Sequence, residues 1–181
     1  YIKKSNKVDE VYCIPGNAGT GHVATNVEID IDNFKEIKKF IKKNNINLLI
    51  IGPEKPLVNG LVDYLKNINI KIFGPNKKAS QLEGSKIFTK EICKKYKIPT
   101  ADFGIFKNLA DAKKFLKKSK FPIVIKADGL AAGKGVYICE NEILAIKAIK
   151  EIFGGKFGKA EKVLIEEFLS GEEMSYFIIT D

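Results

Sequence analysis

The sequence contains no arginine: all 31 basic residues are lysine, set against 22 acids for a formal charge of +9. A surface built to read nucleic acid normally uses arginine, whose planar fork makes bidentate contacts to phosphate and guanine. Here lysine is scattered among abundant Ile and Asn, as over Lys35–Asn47. The lysines therefore read as solvated helix faces, and no nucleic acid partner is expected. Cysteine is also scarce. Cys13, Cys93 and Cys139 lie 80 and 46 residues apart with no CxxC pair, which argues against a zinc site or disulfide framework and fits a reduced cytosol. Long apolar runs are missing: Leu48–Ile51 is typical, far short of the roughly 20 residues a membrane helix needs. No membrane partner is expected. No secretory signal opens the chain, which begins at Tyr1 and not at Met. His22 is the only histidine and, lacking a partner motif, reads as a loop residue.

What is present is globular texture. A chain of 181 residues that is 45% hydrophobic and 29% charged can bury a core and is not of disordered composition. Val11–Ile14, Ile46–Ile51 and Ile70–Phe73 are short apolar runs between turn residues, the pattern of buried strands. Between them, Asp32 is expected to cap a helix carrying Phe34, Ile37, Phe40 and Ile41. A second, shorter helix carries Val58, Leu61, Val62 and Leu65. Strands alternating with helices predict half of a doubly wound parallel sheet.

After Gly74-Pro75 the pattern changes. Ser85 is placed to cap a helix to about Tyr96 with Ile87, Phe88, Ile92 and Tyr96 inward, and Asn108 to cap another with Ala112, Phe115 and Leu116. Pro122–Ala127 and Gly135–Cys139 are strands joined by so short a loop that they must be antiparallel. Asn141 caps a strongly periodic helix stopped by Gly154-Gly155. Lys162–Glu167 and Tyr176–Thr180 are two further expected strands. The fold class is α/β: a doubly wound domain over residues 1–84, then an α+β domain over 85–181.

The chemistry concentrates in two segments. In Lys126-Ala-Asp128-Gly129-Leu-Ala-Ala-Gly133-Lys134-Gly135 a lysine ends one strand, three glycines follow, and another strand leaves. Glycine admits backbone N–H groups close to an anion, and the lysines add charge. No helix follows, so this is neither a Walker A loop nor a dinucleotide fingerprint. A hairpin with a lysine-bearing tip is the bland alternative. The second segment, Glu166-Glu167-Phe168-Leu169 with Glu172 and Glu173 beyond, ends a buried strand in two carboxylates. That is uncommon, because burying unpaired charge is costly. Its backbone groups can bond an adenine edge and a later carboxylate ribose hydroxyls; a solvated acidic turn is the plain alternative. Asn17, Gly19 and Thr20 after the first strand, with Glu54 and Asp63, can offer partners to a phosphate or sugar. Turn chemistry explains Gly and Asn there equally well.

Taken together, the ordered motifs resemble the ATP-grasp superfamily and, within it, the phosphoribosylamine–glycine ligases. They are Pro15-Gly-Asn-Ala-Gly-Thr20, Gly52-Pro-Glu-x-Pro-Leu57 with Gly60 and Asp63, Phe73-Gly-Pro75, Leu82-Glu-Gly-Ser-Lys86, Lys126–Gly135 and Ile165-Glu-Glu-Phe-Leu-x-Gly-Glu-Glu173. The resemblance implies ATP-dependent joining of glycine to 5-phosphoribosylamine through a glycyl phosphate, in purine synthesis in the cytoplasm. It implies that Lys126 contacts the ATP phosphates with Lys86 near the nucleotide. Gly129, Gly133, Lys134 and Gly135 would form a lid, Glu166, Glu167, Phe168 and Leu169 would meet the adenine, and Glu173 the ribose. The first domain would help bind phosphoribosylamine through Asn17, Gly19, Thr20, Glu54 and Asp63, with Asp128 as a further substrate contact. It also implies that the family's opening strand precedes Tyr1 and that its Mg2+ (or Mn2+) ligands follow Asp181, so no metal residue is assigned within the chain.

On that basis the 181 residues alone are expected to be inactive, poorly stable and to expose apolar sheet surface, with a monomer favoured. Rival readings are another ATP-grasp ligase or carboxylase, for which Pro15–Thr20 and Gly52–Leu57 are the discriminating motifs, and a non-catalytic nucleotide-binding module.

Overall fold

A computed structural model describes residues 1–130 and 134–179. The chain divides into two compact units, Tyr1–Gln81 and Leu82–Asp181.

In the first unit, β1 (Tyr12–Cys13) runs parallel to β2 (Thr25–Asn26), α1 spans Phe34–Lys43, and β3 (Leu48–Ile50) runs parallel to β4 (Lys71–Phe73). Of the three strands expected from apolar runs, β3 and β4 pair with each other and β1 pairs with β2. The sequence reading missed β2 because Thr25 and Asn26 are exposed and carry no apolar signal. The cap of α1 is Asn33, one residue beyond the expected Asp32. The Asn33 carboxamide oxygen accepts from the Glu36 amide and its nitrogen donates to the Glu36 carboxylate, a reciprocal cap that satisfies two groups at once. Asp32 is taken up instead by Lys55.

The short helix expected around Val58–Leu65 is broken in two, α2 (Glu54–Asn59) and α3 (Leu61–Leu65). Gly60 between them has φ +94°, a left-handed conformation that side chains resist. The core of the unit is Ile29, Ile37, Ile41, Ile51, Leu61 and Leu65. Leu48 and Ile50, with Phe73 opposite Ile50, alternate onto the other face of the β3–β4 pair and remain about half exposed.

A one-turn helix, α4 (Gln81–Gly84), leads to the second unit's α5 (Lys86–Tyr96), β5 (Phe103–Phe106), α6 (Leu109–Leu116), β6 (Ile123–Ala127), β7 (Val136–Cys139), α7 (Glu142–Phe153) and β8 (Val163–Glu167). The sheet order is β5-β8-β6-β7 and every pairing is antiparallel. Ser85, Asn108 and Asn141 cap α5, α6 and α7 as expected, each side chain accepting the amide three residues on. That is the N-cap bond that short polar side chains make best.

Alternation along the strands sorts the two faces. Ile123, Ile125 and Ala127 of β6 and Val163 and Ile165 of β8 join Ala112, Leu116, Ala145, Ala148, Ile149 and Ile152 in one core. Leu164 and Glu166 of β8, with Val124 and Lys126 of β6, point to the opposite face. On α5, Ile87 and Lys90 are buried, whereas Tyr96 is 62% exposed. The expectation of an inward Tyr96 fails because α5 is exposed from Lys94 to its end at Tyr96. The strand expected over 176–180 is absent at the described residues 176–179. They are irregular, exposed and unpaired, since no described strand offers them a ladder; Thr180 lies outside the described residues.

Candidate functional site

The second unit sets its candidate residues along the β6–β8 pair: the hairpin leaves Ala127 of β6, opposite Val163 at the start of β8, whereas Phe168 and Leu169 follow Glu167, opposite Ile123 at the start of β6. Glu166 sits opposite Val124 of β6 and Phe103 of β5, one step along the ladder from Lys126, which is opposite Leu164. Residues diagonal across an antiparallel pair lie within reach of long side chains. Accordingly, the Lys126 ammonium lies 2.7 Å from one Glu166 oxygen. The other oxygen faces Lys90 of α5, whose ammonium is 3.3 Å away. Glu166 is 5% exposed, so its charge is held inside the protein by two cations. The Lys90 ammonium also donates to the Thr100 hydroxyl at 2.6 Å and the Ala101 carbonyl at 3.2 Å, and it lies over the Phe103 ring.

Sequence reasoning missed Lys90. Its signal was positional: it stands three residues after Ile87, on the inward face of α5, where one turn of helix puts neighbours together.

The hairpin base is bracketed to the start of α5. The Ser85 hydroxyl donates to the Asp128 carboxylate, at 2.9 and 3.0 Å from its two oxygens, and the Ile87 amide donates to the same group at 3.2 Å. The Lys86 ammonium donates to the Gly129 carbonyl at 2.9 Å. A carboxylate at a helix N-terminus meets unpaired N–H groups and the positive end of the dipole. Asp128 is therefore engaged in holding β6 to α5. On the other side of the hairpin, the Ala127 amide donates to the Gly135 carbonyl at 2.8 Å, Gly135 is buried and Lys134 is exposed. Gly133 lies outside the described residues.

At the end of β8, Glu167 exchanges two bonds with Asp102: its amide donates to the Asp102 carbonyl and its carboxylate accepts the Asp102 amide, both at 2.9 Å. Phe168 and Leu169 follow with much of their side chains exposed, and Glu173 lies in the exposed irregular segment beyond. Lys126, Lys86, Asp128, Gly129 and Glu166 are thus brought together around α5, β6 and β8. Glu173 has no described contact with them.

In the first unit the candidate residues are occupied with their own loop. The Asn17 amide donates to the Thr20 hydroxyl at 2.7 Å, and the Asn17 side-chain oxygen accepts the Thr20 amide at 3.0 Å. Asn26 reaches back to the Asn17 carbonyl at 2.7 Å. Gly16, at φ +81°, lies so close to Asn26 that any Cβ would collide with its side chain. Gly19 is the N-cap of the 3-10 turn Thr20–His22, which bears no cap side chain. His22 is exposed there. Glu54 is exposed in the first turn of α2, and Asp63 accepts the Lys77 amide at 2.6 Å. Among the described residues, no group of three or more His, Cys, Asp or Glu is placed to hold a metal ion, and no helix is long and apolar enough to cross a membrane.

Residues 1–83 match the phosphoribosylglycinamide synthetase N domain, and residues 84–181 match the ATP-grasp (A) domain of the same synthetase. The chain belongs to the phosphoribosylglycinamide synthetase family. Among curated proteins it is similar to the phosphoribosylamine–glycine ligase of Clostridium acetobutylicum, at 47% identity over 99% of this chain and 44% of that protein. The chain thus spans less than half the length of the curated relatives it matches. Among solved structures, the phosphoribosylamine–glycine ligase of Thermotoga maritima superposes with a TM-score of 0.77 at 32% identity, over 94% of this chain and 41% of that one. The biotin carboxylase domain of a 2-oxoglutarate carboxylase from Hydrogenobacter thermophilus, solved with MgADP, ADP and bicarbonate, gives a TM-score of 0.64 at 25% identity, over 81% of this chain and 34% of that domain. The mixed α/β architecture, with parallel pairs in the first unit and an antiparallel sheet in the second, is that of ATP-grasp proteins.

Proposed function

We propose that the gene product containing these residues joins glycine to 5-phosphoribosylamine at the expense of ATP, a step of purine synthesis carried out in the cytosol. The observation that carries this reading is the cluster of lysines around α5, β6 and β8, with Lys126 of β6 reaching across the sheet to Glu166 of β8 and Lys86 holding the hairpin base at Gly129, in a chain matched along its length by the two domains of one ligase family.

A carboxylate is a poor electrophile because its charge is delocalised and its oxygen leaves badly. Phosphorylation converts that oxygen into a good leaving group, and the amine nitrogen then attacks the acyl carbon, releasing phosphate. Such chemistry asks the protein mainly for positioning and for cations around the transferring phosphoryl group. Lys126 and Lys86 are assigned that electrostatic role, with Lys134 and the backbone of Gly129, Gly133 and Gly135 closing over the phosphates. The backbone from Glu166 and Glu167 through Phe168 and Leu169 is assigned to the adenine edge, and Glu173 to the ribose. Strand-end groups suit the adenine because they present donors and acceptors at fixed spacing.

In the first unit, Asn17, Gly19, Thr20, Glu54 and Asp63 are assigned to phosphoribosylamine. Because the side chains and amides of Asn17 and Thr20 are bonded to one another, a ligand there has to exchange bonds with that loop. The described residues do not supply a metal site of three or more His, Cys, Asp or Glu side chains.

The test is ADP release by the full gene product against a panel of acceptors and carboxylates. Turnover that requires both glycine and phosphoribosylamine, and falls at least 100-fold in Lys126→Met, supports the assignment. Turnover driven by bicarbonate or by another amine, or indifference to Lys126, overturns it.

A further inference from the structure

While Lys126 is the partner of Glu166, part of its charge is already compensated, so it attracts a polyphosphate less strongly than a released ammonium does. One of the two lysines on that carboxylate is 27% exposed and the other only 10%, and the Glu166 oxygen facing Lys90 is buried with no hydrogen-bond partner. The two cations are therefore not equivalent. Lys126 stands at the open side, at the end of β6. Lys90 is enclosed, tied to Thr100 and Ala101 and stacked on Phe103.

We propose that Lys90 is a positioning residue for nucleotide binding: it keeps the buried Glu166 carboxylate neutralised from behind, so that Lys126 is free to leave Glu166 and meet the phosphates. The proposal rests on the ATP-dependent ligase reading and deepens it.

The physical argument is one of charge left behind. Withdrawing Lys126 from a carboxylate that had no other cation would strand a buried charge, which costs far more than breaking an exposed pair. With Lys90 in place the carboxylate keeps a counter-charge, and the 3.3 Å separation needs to shorten by only a few tenths of an ångström to become an ordinary charge-assisted bond. Without Lys90, nucleotide must compete with Glu166 for the one remaining ammonium.

The experiment uses the full gene product, with ATP binding read by calorimetry and steady-state KM read separately for ATP and glycine. Lys90→Met should raise the ATP Kd and the ATP KM at least tenfold and leave the glycine KM within twofold. In the Glu166→Gln background, which removes the charge to be neutralised, adding Lys90→Met should change the ATP Kd by less than threefold. An ATP Kd unmoved by Lys90→Met despite lowered thermal stability, or an equal loss in both backgrounds, overturns the proposal. A wild-type structure with a non-hydrolysable ATP analogue gives a readout that does not depend on a variant folding. It should show the Lys126 ammonium on phosphate oxygens and Lys90 alone on Glu166; Lys126 still bonded to Glu166 overturns the proposal. Failure of the ligase reading is distinguishable, since wild type and Lys126→Met would then bind ATP equally or not at all, and the proposal would fall with it.

Discussion

Replacing Asp128 by alanine should unfasten the hairpin from α5. Two donors converge on that carboxylate, the Ser85 hydroxyl and the Ile87 amide, and a net bond to a charged group contributes about 1.5–3 kcal/mol. The favourable placement of negative charge at the N-terminus of an 11-residue helix adds about 0.3–1 kcal/mol. Asp128 is only half-buried, so water replaces part of what is lost. A total of about 2–4 kcal/mol then remains on the scale of charged hydrogen bonds.

The conservative Asp128→Asn keeps acceptor geometry and gives up the charge, so it should lose about 1 kcal/mol on the scale of a helix-end charge. Amide hydrogen exchange is the appropriate assay, because the two compact units need not unfold together and exchange reports each opening locally. Protection of the Ile87 amide should fall in Asp128→Ala, whereas amides in the middle of α7 should be unaffected. Combining it with Ser85→Ala should give less than the sum of the single losses, because the two residues share a bond. A loss under about 0.5 kcal/mol, smaller than one net hydrogen bond, with Ile87 still protected, would refute the bracket.

Two further outcomes follow from the same packing. Ile149 is fully buried among the strands and helices of the second core, so Ile149→Ala should cost about 2–5 kcal/mol in urea unfolding; a cost near zero would mean that this core is not assembled as described. Lys156, and after it the Tyr137 hydroxyl, hold the Glu151 carboxylate below the ordinary glutamate range. A folded-state pKa lowered in this way adds stability above the ordinary glutamate range and loses it as pH falls through the lowered value. Glu151→Gln should therefore flatten the acid limb of a plot of Tm against pH in that window, and an unaltered limb would count against the pairing.

Much of the fold was legible in the chain because its signals are local. Ser85, Asn108 and Asn141 each precede a periodic helix and cap it through the amide three residues on. The loop between β6 and β7 is too short for any crossover, which fixes them as antiparallel neighbours. Other features carry no such signal. β5 contains Gly104 in a four-residue stretch and exists as a strand because β8 lies alongside it. The apolar segment from Tyr176 to Ile179 has the composition of a strand and, with no ladder among the described residues, is not one.

The candidate site divides in the same way. Residue type and order singled out Lys126, the glycines and the acidic end of β8 as candidate residues, since backbone freedom, positive charge and strand-end polarity are written in the side chains present, and the resemblance of the ordered motifs supplied the nucleotide reading. Only the tertiary structure decided that Glu166 is buried between two lysines, that Asp128 faces the start of α5, and that Lys90 belongs to the group at all. Those pairings join residues 40 to 76 positions apart, between neighbouring strands for Lys126 and Glu166 and between α5 and the sheet for the others. The energy of a buried charge depends on what surrounds it, and that is settled only when the chain has packed.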